Sequence, residues 1–151
     1  MTIRRIIQDY LAISLALCFL IINLKYDLGK SLDMEKVMDK SIDLSSISFG
    51  FLLAVLALLL QGDNPGLNRI KESGNFPSLV LLNKKAVLAS GLLIIVALLY
   101  LSLGCNKIVL TLFDIEIRKV VDSISLGVLI YQLAMVFSFL DIFYYIIKQE
   151  S

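Results

Sequence analysis

"ISLGVLIYQLAMVFSFLDIFYYIIK" (residues 124–148) is apolar or aromatic almost from end to end, with one aspartate, Asp141, in its second half. A helix needs about 20 apolar residues to cross the hydrocarbon of a bilayer, and this run exceeds that, leaving room for tilt. Only a helix suits such a stretch, because backbone groups facing lipid must satisfy their hydrogen bonds within their own segment.

Working outward from it, three more runs have the same character: "IIQDYLAISLALCFLIINL" (6–24), "LSSISFGFLLAVLALLLQ" (44–61) and "AVLASGLLIIVALLYLSLG" (86–104). The whole chain agrees with them. Of its 151 residues 58% are hydrophobic and only 18% charged, with a mean hydropathy of +0.86, which is more apolar than a soluble domain of this size. The expected fold is all-α, an integral membrane four-transmembrane-helix bundle forming one domain over residues 1–151. The spans are placed at 6–24, 44–61, 86–104 and 124–147.

A cleaved signal peptide is the competing reading of the first run, given "RR" before it. "NLKYDLG" after it offers no small-x-small cleavage site. In "LALC", Leu17 stands where a lipoprotein box needs a small residue. The run is read as a retained helix.

The connections differ. Residues 25–43 mix four lysines with five acids, and Met34, Val37, Met38 and Ile42 recur at helical spacing. Ser31 or Asp33 can cap that helix, so the second helix is expected to begin outside the bilayer and enter it unbroken. In "GDNPGLNRIKESGNFPS" (62–78), Asn64 can cap a short helix with Pro65 at its first position, and Gly74 can end it. Phe76, Pro77 and Ser78 then launch the third helix. "LFDIEIRKVVD" (112–122) alternates at first and then loses the pattern, so a short strand and an interfacial segment both remain open.

Orientation follows from lysine and arginine near the helix ends. The side holding the termini carries Arg4, Arg5, Arg69, Lys71, Lys84, Lys85 and Lys148; the other carries Lys25, Lys30, Lys36, Lys40, Lys107, Arg118 and Lys119. The counts tie. The pairs "RR" and "KK" abutting the first and third helices place both termini in the cytoplasm, in a bacterial inner membrane.

Chemistry is sparse. There is no histidine, no phosphate-binding glycine loop, no GxSxG and, within the apolar runs, no paired acids at helical spacing. Cys18 and Cys105 form no redox or metal pattern and are read as buried small residues. No enzyme, cofactor or metal is expected. A net charge of +1 gives no pull toward nucleic acid.

The helix faces carry more. Gly127, Tyr131, Ala134, Ser138, Asp141 and Tyr145 make a small, polar stripe on the last helix, and Asp9, Ala12, Ala16 and Asn23 make one on the first. Ser46, Gly50 and Ala54 form a small-residue ladder on the second, and Ala86 and Ser90 start another on the third. Small residues let membrane helices approach closely, so these are expected to be packing surfaces within the bundle or between subunits. Asp9 and Asp141 lie near the same membrane boundary, where an anchoring role is favoured over ion movement. Beyond Lys84 and Lys85 lies an apolar collar including Leu79 and Leu82. Either the lysines snorkel and the helix enters deeper, or the collar lies flat in the headgroups or docks a partner or sister subunit. With Arg69, Lys71 and Phe76 it is a candidate docking surface for a partner.

Finally, "FGFLLAVLALLLQGDNPGLNRIKESGNF" (49–76) resembles small four-helix bacterial membrane proteins encoded beside defence or stress-response genes. The transmembrane subunit family of the Kiwa anti-phage system is the nearest such architecture. That resemblance implies an oligomer in the lipid bilayer working with a soluble cytoplasmic partner. The expected function is therefore a non-enzymatic, homo-oligomeric membrane anchor or sensor for such an effector. An oligomeric pore is the alternative. A small transporter comes last, because no internal repeat or broken helix is visible.

Overall fold

The structure, a computed structural model, describes residues 2–62, 68, 71–72, 76–104, 111–112 and 115–150, and these residues are mostly helical with one short strand pair. Helix α1 runs Thr2–Tyr26, and Asp27 follows in the left-handed conformation (φ 51°). A single turn, α2 (Leu28–Ser31), leads to α3 (Met34–Gln61). Helix α4 is Phe76–Ser102 and α5 is Ile117–Glu150. Before α5, β1 (Thr111–Leu112) pairs antiparallel with β2 (Ile115–Glu116), Thr111 opposite Glu116. The alternation in "LFDIEI" is thus a strand pair, and the pattern is lost where α5 begins at Ile117.

Helix α3 is continuous from its cap to Gln61, as its spacing of methionines implies. Asp33 is the cap: its Oδ1 accepts from the Lys36 backbone N–H at 3.3 Å and its Oδ2 lies 2.9 Å from the Lys36 ammonium. Hydrogen bonding from the Lys36 side chain holds the Asp33 carboxyl below its ordinary range. The cap is therefore in place at neutral pH and lost on strong acidification. At the other end, the Gly62 N–H closes on Leu58 O at 2.8 Å, and Lys71 Nζ donates to Gly62 O at 2.6 Å. Asn64, Pro65 and Gly74, expected to shape the connection, lie outside the described residues.

The helices pair in the order α3–α4–α5–α1. One core joins Leu52 and Leu59 of α3, Leu79, Leu82, Ala86 and Ala89 of α4, and Met135, Phe139 and Ile142 of α5 to Ala12 of α1. A second, at the end where α4 stops and α5 starts, gathers Met34, Met38, Ala97, Tyr100 and Leu126. Leu79 and Leu82 are fully buried, which corrects their reading as an exposed docking collar. Helix α4 starts ten residues before the expected span at 86, and its buried face, Leu79, Leu82, Ala86, Ala89, Leu93, Ala97 and Tyr100, repeats every three or four residues.

Outside these cores the surface is apolar. Ile47 is 73% exposed and Phe137 67%, among many such side chains. Three helical segments, Met34–Gln61, Phe76–Ser102 and Ile117–Tyr145, are long and apolar enough to cross a membrane, and at most 33% of the most apolar window of each is buried within the chain. The described side chains of α1 make a shorter apolar helix, Tyr10–Tyr26. Cys18, expected inside, is exposed on α1, while Cys105 lies outside the described residues.

Gly127 is buried where α5 meets α1: a Cβ there would lie 3.6 Å from Ala16 O and 3.7 Å from Leu20 Cβ. That is ordinary contact distance, at the edge of a cavity lined by Ala16, Leu20, Gly127 and Tyr131. Gly127→Ala should leave the thermal midpoint in detergent nearly unchanged, whereas Gly127→Leu should lower it clearly by prising α1 from α5. Equal midpoints for the two variants would contradict this packing.

Candidate functional site

The chemistry of the interior lies in a file of polar side chains along α5. It begins where α1 ends. Asn23, fully buried, donates from Nδ2 to Ser123 Oγ at 2.9 Å and accepts the Gly29 N–H on Oδ1 at 3.0 Å. Ser123 in turn donates to Lys119 O at 2.6 Å, so its hydroxyl both gives and receives. One residue earlier, Asp122 is also fully buried, and Tyr100 of α4 donates its hydroxyl to Asp122 Oδ1 at 2.7 Å.

About 15 Å farther along α5 is Gln132. Its Nε2 donates to Ser90 Oγ at 3.2 Å, and Ser90 donates to Ala86 O at 3.0 Å. Both are fully buried. About two helical turns beyond Ser90, toward the start of α4, Asn83 is enclosed in the larger core. Neither atom of its amide has a hydrogen-bond partner, and Asp122 Oδ2 and Gln132 Oε1 are also unpartnered. An unpaired buried polar group costs on the order of 1–3 kcal/mol, so each such atom is a place where something else can bind or move.

Of the residues singled out in the sequence, Asn23 and Ser90 take part in this file and Gly127 packs beside it. Tyr131 and Ser138 are half-buried, while Asp141 is exposed. The expected stripe therefore spirals outward along α5. The buried face is Gln132, Met135, Phe139 and Ile142, one position over, because the bulky side chains fill the core between α4 and α1. Asp141 does not face the interior of the chain. The Asp9 side chain is outside the described set, as is Arg69.

Ser46 and Ala54 are exposed on α3, and a Cβ on Gly50 would meet nothing within 4 Å. Within one chain this ladder packs against no helix, which leaves contact between copies as the remaining form of that expectation. In the candidate docking set, Phe76 packs partly against the core, Lys84 is exposed, and Lys85 is half-buried. Among the described residues, no group of three or more His, Cys, Asp or Glu side chains is placed to hold a metal ion.

Asp122, Tyr100, Gln132 and Asn83 were missed in the sequence. Gln132 carried a signal, an amide in the middle of an apolar run; Asp122 was hidden by the charges just before it. Comparison with protein-family models, curated proteins and solved structures finds no match to this chain.

Hydrogen bonds between membrane helices contribute on average about 0.6 kcal/mol each, up to about 1.7 kcal/mol. Asn23→Leu removes two contacts and leaves the Gly29 N–H unpaired. It should destabilise the chain by about 2 kcal/mol in a denaturant titration in micelles. An unchanged transition would show that Asn23 does not hold this corner.

Proposed function

We propose that the chain is a non-enzymatic multi-pass protein of the bacterial inner membrane that assembles with copies of itself and anchors, or senses for, a soluble cytoplasmic effector. In this reading α1 is a fourth span and both termini are cytoplasmic. The observation that carries it is the arrangement of polar side chains: Asn23 with Ser123, Tyr100 with Asp122 and Ser90 with Gln132 each tie one helix to another. Such contacts suit a scaffold better than a catalyst. Helix α1 packs along α5 and exposes Leu11, Ile13, Leu15, Leu17, Ile21 and Ile22, which supports its place in the bilayer. The resemblance of residues 49–76 to subunits of defence systems extends the proposal to anti-phage defence.

With Leu79 and Leu82 buried, a soluble partner is left, among the described residues of this region, with exposed Glu72, Leu81 and Lys84. The outward Ser46–Gly50–Ala54 ladder supports contact between copies, because it lets two α3 backbones approach closely.

One observation favours the alternative of a pore. Asp122, Gln132 and Asn83 lie at successive levels of the α4–α5 interface, each with an unpartnered polar atom. In an assembly that opens this interface they would offer stepping points for water or ions.

Native mass measurement of the detergent-extracted complex separates the two readings. The anchor reading expects a whole-number multiple of the 16.9 kDa chain carrying a stoichiometric soluble protein, with Gly50→Leu reducing the multiple. A bare assembly that conducts in planar bilayers would overturn it in favour of the pore.

A further inference from the structure

We propose that Asp122 is a proton-binding latch: with its proton on, the α1–α2 corner closes onto α5, and with its proton off, the corner is pushed away. Three observations of the structure meet at this residue. First, Asp122 is fully buried, with Oδ1 accepting from Tyr100 at 2.7 Å and Oδ2 without any hydrogen-bond partner. A buried carboxylate oxygen with no donor is a poor place for negative charge, whereas a carboxylic acid there leaves no charge to satisfy.

Second, the α2 backbone seals that oxygen. A Cβ built on Gly29 would lie 2.7 Å from Asp122 Oδ2 and 2.9 Å from Asp122 Cβ, so only glycine lets the turn come this close. The turn is held there by Asn23, which takes the Gly29 N–H and donates to Ser123 next to Asp122. A hydrated or metal-bound carboxylate needs room on Oδ2. The cavity between α3 and α5 at Val37, Leu44 and Leu129, and the one between α1 and α5 at Leu20, Gly127 and Tyr131, do not include Asp122. A proton needs no room.

Third, the charged and titratable groups around Asp122 are few. Tyr100 faces it from α4, Arg118 lies one turn earlier on α5, and Asp27 acts on it from the α1–α2 corner. Arg118 is also 3.9 Å from Glu116, which shares its charge. Asp27 sits in a left-handed backbone conformation with its own Oδ1 buried and unpartnered. Two carboxylates at one corner repel when both are ionised. When the pH rises, the Asp122 proton leaves to bulk water, the new charge faces Asp27 and the Gly29 backbone, and the corner opens. Asp122 lies in the second turn of α5, two residues before the apolar run that begins at 124.

The latch goes beyond the anchoring reading and does not rest on it; in a sensor, it would make proton concentration the signal. Its test needs no partner. Leu28, half-buried on α2, is replaced by cysteine in the full chain with Cys18→Ser and Cys105→Ser, and maleimide labelling is followed in nanodiscs. The pH is taken from roughly 5 to roughly 9, from just above the ordinary carboxyl range upward. Rates are divided by those of Lys40→Cys, exposed on α3, which removes the ionisation of the thiol itself.

The normalised rate should rise several-fold with pH in the parent and stay at its low-pH value in Asp122→Asn. That variant keeps the acceptor for Tyr100 and carries no charge at any pH. Infrared difference spectra between the parent and Asp122→Asn at neutral pH should show a protonated-carboxyl stretch present only in the parent. A flat normalised rate in the parent, the same rise in both proteins, or no protonated carboxyl at Asp122 would each overturn the latch.

Discussion

The packing of α5 between α1 and α4 is the interaction on which the rest of the structure depends. Helix α3 packs chiefly on α4, and α1 on α5, so the row of helices is closed only through this central pair of contacts. The hydrogen bonds that tie the long helices together, Asn23 to Ser123, Tyr100 to Asp122 and Gln132 to Ser90, all have one end on α5. Its apolar residues do the same for the cores, with Leu126 in one and Met135, Phe139 and Ile142 in the other. The outward faces, in contrast, carry exposed leucine, isoleucine and phenylalanine. The same helix thus turns hydrogen-bonding side chains toward its neighbours and presents hydrocarbon outward.

The run of apolar residues made the helices legible, and local capping chemistry made some of their ends legible too. Asp33 caps α3, and Phe76 opens α4, as the sequence implies. Helix rotation was harder to read. A small-polar stripe and a bulky apolar stripe stand one residue apart on α5. Which one faces inward depends on the two neighbours it must fill, so Phe139 and Ile142 are inside while Asp141 is outside. Leu79 and Leu82 were misjudged for a different reason. Lys84 and Lys85 suggested a membrane edge, yet the three-four repeat from Leu79 to Tyr100 runs straight past them on the opposite face. Asp122 gave no signal of burial, because Arg118 and Lys119 made its surroundings look like a solvated loop.

The interior is not evenly satisfied. Near the end of α1, hydroxyl, amide and backbone groups match almost fully around Asn23 and Ser123, while Asp122 Oδ2, Gln132 Oε1 and the whole Asn83 amide lack partners. Matched groups fix helix positions. Unmatched ones mark where water, a proton or a neighbouring chain can change the structure at little cost.

The lipid-facing surface can be measured directly with spin labels at Ile47, Leu58, Leu88, Leu98 and Phe137, and at Leu15 and Leu17 on α1, all exposed in the chain. Their relaxation is compared in nanodiscs with oxygen, which concentrates in hydrocarbon, and with a water-soluble nickel chelate, which is excluded from it. If these faces are covered by lipid, every site, including the two on α1, is far more accessible to oxygen than to the chelate. Greater access of the chelate at the α3, α4 and α5 sites would contradict a membrane-embedded bundle, and the same result confined to Leu15 and Leu17 would remove α1 from the set of spans.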